Sequence, residues 1–418
     1  MNWMLYLQAL LGIAVFVALA LPFSENRRGI RWPLVGWAIA LQFGIAILLL
    51  KVPVISHAFG YLNRAVGALG EATRQGTSFV YGFLGGGDAP FTVTNPGAMT
   101  SFAFSVMPLV IVISALSAVF WYWGLLPAIV RAIARVFERL LGTRGPAGLA
   151  TTANIFLGQV EAPLVVRPYI STMTRYELLL LMTAGMAMIA GSVMVIYAAM
   201  LGPQFKDILT HLIIKSIMSV PAAILFAHLL IPETTTSEFR EDKAPRVYES
   251  TMDAITRGTT DGMHIYFNVL AILITLIAFV ALVNSAVSLL PGVAGAPLSL
   301  ERIAGWIFAP MAWLMGIPWA EATLSGSLLG VKTVLNEFIA YLKLIDVGPA
   351  ELSERSRLIT IYGLCGFANF SSVGIQVSGI SAMAPDRRGD LIDLGMRSLL
   401  AATLASCMTG SVIGIVAY

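Results

Sequence analysis

Along this 418-residue chain, long apolar runs alternate with short polar breaks. A helix needs about 20 apolar residues to cross the hydrocarbon core of a bilayer. Eight stretches meet that requirement and are predicted as spans: 3–22, 33–54, 99–123, 177–201, 207–231, 265–290, 357–383 and 392–417. Residues 56–92 are mixed and Gly-rich, as expected of an interfacial helix and loop. Residues 127–142 are amphipathic: Ile129, Ile133, Phe137 and Leu140 share one face, and Arg131, Arg135, Glu138 and Arg139 the other. That pattern lies in the membrane interface. Residues 296–316 are a weaker version of it. Residues 145–172 and 317–345 are moderately apolar but interrupted by Gly and Pro. Each suits a re-entrant helical hairpin, which a membrane tolerates only where protein or a water-filled cavity surrounds the irregular backbone.

Composition fixes the solvent. Hydrophobic residues make up 57% of the chain and charged residues 12%, against about 25% charged in soluble domains. The fold class is therefore an all-α polytopic membrane protein with eight spans, two hairpins and interfacial helices. A net charge of +3 is too small to argue for a nucleic-acid partner. The basic residues instead mark topology. Arg27, Arg28 and Arg31 follow the first span, Arg131, Arg135, Arg139 and Arg144 the third, Lys243, Arg246 and Arg257 the fifth, and Arg387 and Arg388 the seventh. With two hairpins that return to their own side, all four clusters face the cytoplasm by the positive-inside rule. Both termini then face outward across the cell's inner (plasma) membrane, and the first apolar run reads as a retained span rather than a signal peptide.

Cys365 and Cys407 read as small packing residues inside apolar segments. His57, His211, His228 and His264 show no metal-ligand spacing. No nucleotide-binding loop or redox motif is visible, so no cofactor is expected, and any transport would draw on a gradient.

Two glutamates stand inside membrane-grade sequence: Glu161 in Gly158-Gln159-Val160-Glu161-Ala162-Pro163, and Glu337 in Asn336-Glu337-Phe338-Ile339-Ala340-Tyr341. A carboxylate at the bilayer centre costs roughly 2.5–3.5 kcal/mol on insertion scales, and such residues usually face a polar cavity. Their surroundings repeat. Glu161 lies 19 residues after Gly142 and Glu337 lies 21 after Gly316; Gly191 follows Glu161 by 30, and Asn369 follows Glu337 by 32. The order in both halves is interfacial helix, hairpin, broken span, span. The halves predict an inverted repeat, the architecture that places a site at mid-membrane in secondary transporters. The predicted divisions are 1–126 (scaffold spans and interfacial helix), 127–232 (first repeat), 233–295 (cytoplasmic connector and scaffold span) and 296–418 (second repeat).

Four motifs in order resemble those of the concentrative nucleoside transporters: Gly158–Pro163, Ile189-Ala190-Gly191-Ser192-Val193, Asn336-Glu337-Phe338 with Ala340-Tyr341, and Gly366-Phe367-Ala368-Asn369-Phe370-Ser371-Ser372. The resemblance implies a homotrimeric symporter of nucleosides working by alternating access. It implies that Gln159, Val160 and Glu161 read the base with Val193 packing beside it, and that Glu337, Asn369 and Ser372 read the ribose with Phe367 against the ligand. It implies a cation site at Asn154, Leu157, Met188 and Ile189. The chain departs from the family pattern at Val160 and Met188, where hydroxyl residues are common. A thioether is a poor ligand for a hard cation, so both sodium and proton stand as coupling ions, with Glu161 and Glu337 as proton carriers.

Blander roles stand beside these. Glu161 and Glu337 could pair with Arg167 and Lys332. Gln159, Asn369, Ser371 and Ser372 could serve helix–helix hydrogen bonding, and Asn154 could be a cap. Lys215 lies mid-span without an assigned function. The competing functions are transport of another small polar solute such as a nucleobase, a passive channel, and an intramembrane hydrolase; for the last, no nucleophile constellation or zinc motif is present.

Overall fold

The computed structural model describes residues 3–94, 101–143, 145–205, 207–233, 247–293 and 297–418. The basic residues Arg144, Lys243 and Arg246, and residues 234–246 of the predicted connector, lie outside them. The described residues form helices α1 (Trp3–Ala20), α2 (Trp32–Lys51), α3 (Pro53–Tyr81), α4 (Leu109–Tyr122, entered through a π-helical turn at Phe102–Val106) and α5 (Leu125–Leu141). Then come α6 (Pro146–Ala153), α7 (Glu161–Val165), α8 (Arg175–Ala187), α9 (Gly191–Leu201), α10 (Ile208–Leu230) and α11 (Thr251–Val287). The last third holds α12 (Leu300–Leu314), α13 (Trp319–Val334), α14 (Glu337–Asp346), α15 (Glu354–Leu364), α16 (Phe370–Met383) and α17 (Arg388–Val416).

Seven segments among the described residues are long and apolar enough to cross a membrane: Trp3–Phe23, Trp32–Lys51, Phe102–Tyr122, Arg175–Leu201, Ile208–Leu230, Thr251–Val287 and Pro385–Val416. These match seven of the eight predicted spans. The remaining one, 357–383, is broken into α15 and α16. The pair α12 and α13 bends by 118° and passes the same test only when taken together.

Local chemistry explains the boundaries. α5 ends at Gly142 (φ 70°), and Gly316 (φ 96°) follows the end of α12; both take the left-handed conformation that glycine adopts without steric penalty. α8 opens with a capping box, Thr174 and Glu177 each bonding the other's backbone. Asn336 caps α14 and Asn369 caps α16 through their side-chain oxygens.

α11 differs from expectation. It begins at Thr251, capped by Ser250, rather than near residue 265, so it takes up the last part of the predicted connector. The reason is packing. A Cβ on Gly258 would lie 2.8 Å from Ala115 Cα, and one on Gly262 would lie 2.6 Å from Ile111 Cα. This small-xxx-small stripe lets α11 lie directly on the α4 backbone. Beyond that contact α11 is largely uncovered, with Ile274, Phe279 and Leu282 exposed. By contrast α10 and α17 run through the interior and are mostly buried. Each closes one of two units with the same order: amphipathic helix (α5, α12), helix–break–helix (α6–α7, α13–α14), broken helix (α8–α9, α15–α16) and long helix (α10, α17).

Candidate functional site

The two helix breaks meet. Between α8 and α9 the backbone at Met188 is extended (φ −117°, ψ 174°). Between α15 and α16 the break spans Cys365 to Asn369. The Phe367 N–H donates to the Met188 carbonyl at 3.4 Å, and Gly366 (φ 146°) sits against the carbonyls of Met186 and Ala187. The Gly191 N–H donates to the Phe156 carbonyl at 2.9 Å. That bond ties the turn after α6 to the start of α9.

Glu337 opens α14 and is only 5% exposed. Its Oε1 accepts a 2.7 Å hydrogen bond from the Tyr197 hydroxyl on α9, and its Oε2 accepts one of 3.2 Å from Asn369 Nδ2. Asn369 works twice, because its Oδ1 also accepts from the Ser372 backbone N–H at 2.8 Å. Gln159 Nε2 donates to Ser372 Oγ at 3.3 Å, which joins the first half to the second. Four of the eight predicted substrate residues thus form one connected network. Phe367 lies in the adjoining break, partly buried.

Glu161 is placed apart. It faces a cavity of about 450 Å³, with Gly158 beside it and Ser114, Trp121, Tyr248 and Asp261 contributed by the α4–α11 side. Its carboxylate folds back on Gly158, whose N–H bonds it. Val160 turns elsewhere, packing within 3.0 Å of where a Cβ on Gly379 would lie. Val193 is partly buried on α9. Neither glutamate has the lysine or arginine partner considered for it. Lys332 instead donates to the Gly363 carbonyl at 2.8 Å.

Three residues of this region carried little sequence signal. Tyr197 gave no motif. Gly185 gave none either; a Cβ there would lie 3.1 Å from Gln159 Cβ and would collide with Gln376 Nε2. Gln376 is 0% exposed, and neither its Oε1 nor its Nε2 has a hydrogen-bond partner; Gln159 Oε1 also lacks one. The one available hint was spacing, since Gln376 follows Ser372 by one helical turn and shares its face.

Family profiles cover most of the chain: "Na+ dependent nucleoside transporter N-terminus" matches residues 11–84, "Nucleoside recognition" residues 103–204, and "Na+ dependent nucleoside transporter C-terminus" residues 211–414. An uncharacterized transporter of Haemophilus influenzae is 37% identical over 98% of this chain and 97% of its own length. The sodium/nucleoside cotransporter 1 of Mus musculus is 32% identical over 97% of this chain and 63% of its own length. The chain belongs to the concentrative nucleoside transporter family. A solved structure of CNTnw in an inward-facing substrate-bound state superposes with a TM-score of 0.89, at 34% identity over 99% of this chain and 98% of that one. A variant of CNTnw in an outward-facing state gives 0.91 at 34% identity, covering 100% and 98%. This family consists of transporters, not enzymes, and the chain is a multi-pass membrane protein.

Sodium, which the family's description implies, prefers oxygen ligands. The Phe156–Gly191 bond joins the turn that holds Asn154 and Leu157 to the break that holds Met188 and Ile189. The donors fit sodium poorly, however. Met188 offers sulfur in its side chain where a hard cation needs oxygen; its carbonyl accepts from the Phe367 N–H at 3.4 Å and keeps one lone pair. Asn154 donates its Nδ2 to the Ala150 carbonyl at 3.1 Å, as a helix-end cap does, which leaves its Oδ1 as the one side-chain oxygen the four residues offer. One residue before Met188, the Ala187 carbonyl accepts a hydrogen bond from the Lys215 side-chain nitrogen.

Proposed function

We propose that the protein imports nucleosides by cation symport, with the ribose read by Glu337, Asn369 and Ser372 and the base by Gln159, Val160 and Glu161. The observation that carries this reading is the network Tyr197–Glu337–Asn369–Ser372–Gln159. A carboxylate and an amide of this kind suit ribose hydroxyls, which both donate and accept, and a glutamine amide offers both polarities to a base edge. Val193 and Phe367 supply apolar surface to the ligand. Alternating access would open this one site, with the base end at Gln159 and Glu161 and the ribose end at Glu337, to each side of the membrane in turn. The two units act as an inverted repeat, 127–232 and 296–418, on a scaffold of 1–126 and 233–295. The exposed apolar face of α11 suits lipid and the subunit contacts of a homotrimer. The basic loops support an orientation with Arg131 and Arg388 on the cytoplasmic side, the protein in the inner membrane and both termini outside.

For the coupling ion, the poor fit of Met188 favours a proton; the family's description favours sodium. Uridine uptake into proteoliposomes, under separately imposed proton and sodium gradients, tests both substrate and ion. Accumulation driven by an inward proton gradient is expected, with competition by nucleosides. Competition by free bases and not by nucleosides would reassign the substrate.

A further inference from the structure

Lys215 is 0% exposed in the middle of α10. A lysine in a membrane span is costly and is kept for a purpose. Its ammonium has no carboxylate partner among the described residues. The ionisable groups that bear on it are Cys365, Lys332 and Cys407. Its hydrogen bond goes to the carbonyl of Ala187, the last residue of α8, where that broken helix stops.

The end of a half-helix is a specific electrostatic place. Its final carbonyls lack intrahelical donors, and the helix dipole concentrates negative charge there. In transporters built on broken helices, such ends hold the coupling cation. The second broken helix is finished the same way, by Lys332 on the Gly363 carbonyl near the end of α15. In this chain a lysine therefore holds the end of each first half-helix.

We propose that Lys215 is a resident cation: its ammonium holds the broken end of α8 in the role a sodium ion would fill, so that nucleoside binding in this chain needs no sodium. The loss of a hydroxyl at Met188 belongs to the same change, because an oxygen ligand has no use where the cation is covalently attached. The inference rests on the nucleoside-transport reading for its ligand, but its sodium arm can be read without any ligand.

The test compares purified protein in sodium chloride and in choline chloride at one pH, measuring uridine affinity by calorimetry and thermal unfolding without uridine. For the wild type, uridine affinity is expected to agree within about twofold between the salts, and sodium alone is expected to leave the unfolding temperature unchanged. The double substitution Met188→Ser with Lys215→Ala is expected to create sodium dependence: tenfold or more tighter uridine binding in sodium, and a sodium-induced rise in unfolding temperature. Lys215→Arg keeps the charge, and its uridine binding, at whatever strength, stays indifferent to sodium. A wild type that binds uridine tenfold tighter in sodium overturns the proposal. So does a folded double variant that ignores sodium in both measurements. Where the double variant does not fold, Lys215→Arg decides: sodium-stimulated binding overturns the proposal and indifference supports it. If the wild type binds no uridine in either salt, the substrate reading fails, while the sodium effect on unfolding still reports on Lys215.

Discussion

Tyr197 on α9 donates a 2.7 Å hydrogen bond to Glu337 at the start of α14, joining two side chains 140 residues apart. A carboxylate only 5% exposed is thus received by the opposite half of the molecule. Tyr197 also packs against Phe338 and Tyr341, with ring centroids 5.8 and 4.8 Å away, so the hydroxyl is held in place by its own ring.

Tyr197→Phe keeps the ring and removes the donor. A hydrogen bond to a charged group contributes about 1.5–3 kcal/mol, and each 1.4 kcal/mol is about tenfold in affinity. We expect KM for uridine to rise about tenfold, with a fall of a few degrees in unfolding temperature. Uptake kinetics in proteoliposomes check this, and an unchanged KM would remove Tyr197 from the site.

Glu337→Gln retains shape and one acceptor but loses the charge. Uptake is expected to fall at least about a hundredfold while the protein elutes as a folded species in size-exclusion chromatography. Wild-type uptake by this variant would contradict the role given to the ribose end.

Gln376→Leu separates packing from recognition. Its amide atoms are buried without partners, and an unpaired buried polar group costs about 1–3 kcal/mol. Replacement by an apolar side chain of similar size should leave the unfolding temperature equal or higher. If the amide pairs with a base, the ratio of inhibition by purine to pyrimidine nucleosides shifts about fivefold, corresponding to about 1 kcal/mol. A raised stability with unchanged selectivity would show that Gln376 does not read the base.

Gly366→Ala tests the contact between the breaks. At φ 146° a side chain is strained, and its Cβ would lie 2.9 Å from the Ala187 carbonyl oxygen and 3.0 Å from that of Met186. A loss of about 2 kcal/mol or more is expected, read as a lower unfolding temperature in detergent. A neutral effect would mean that the two breaks part readily.

Val160→Thr restores a hydroxyl beside Gln159. Val and Thr share a shape but not a chemistry, and a hydroxyl in an apolar contact costs about 1 kcal/mol. A small drop in stability is expected, together with altered base preference in competition assays. Identical competition profiles would place residue 160 outside base recognition.

The chain by itself determined the solvent, most of the spans and the positions of the polar anomalies, because these follow from local quantities. Twenty apolar residues span a bilayer wherever they occur, and Gly142, Gly316, Asn336 and Asn369 end or begin helices by their own backbone and side-chain chemistry. Even the paired settings of Glu161 and Glu337 were legible, as spacings along the chain. The early start of α11 was not, since it depends on Gly258 and Gly262 meeting the α4 backbone. Tertiary structure alone decided the partners. It gave Glu337 to Tyr197 and Asn369 rather than to Lys332, turned Glu161 toward a separate cavity, set Gln376 unpaired behind Gln159, and brought the Lys215 ammonium to the end of α8. A hydrogen bond requires two groups within about 3 Å of each other, and between residues this far apart in sequence only the packed fold sets that distance.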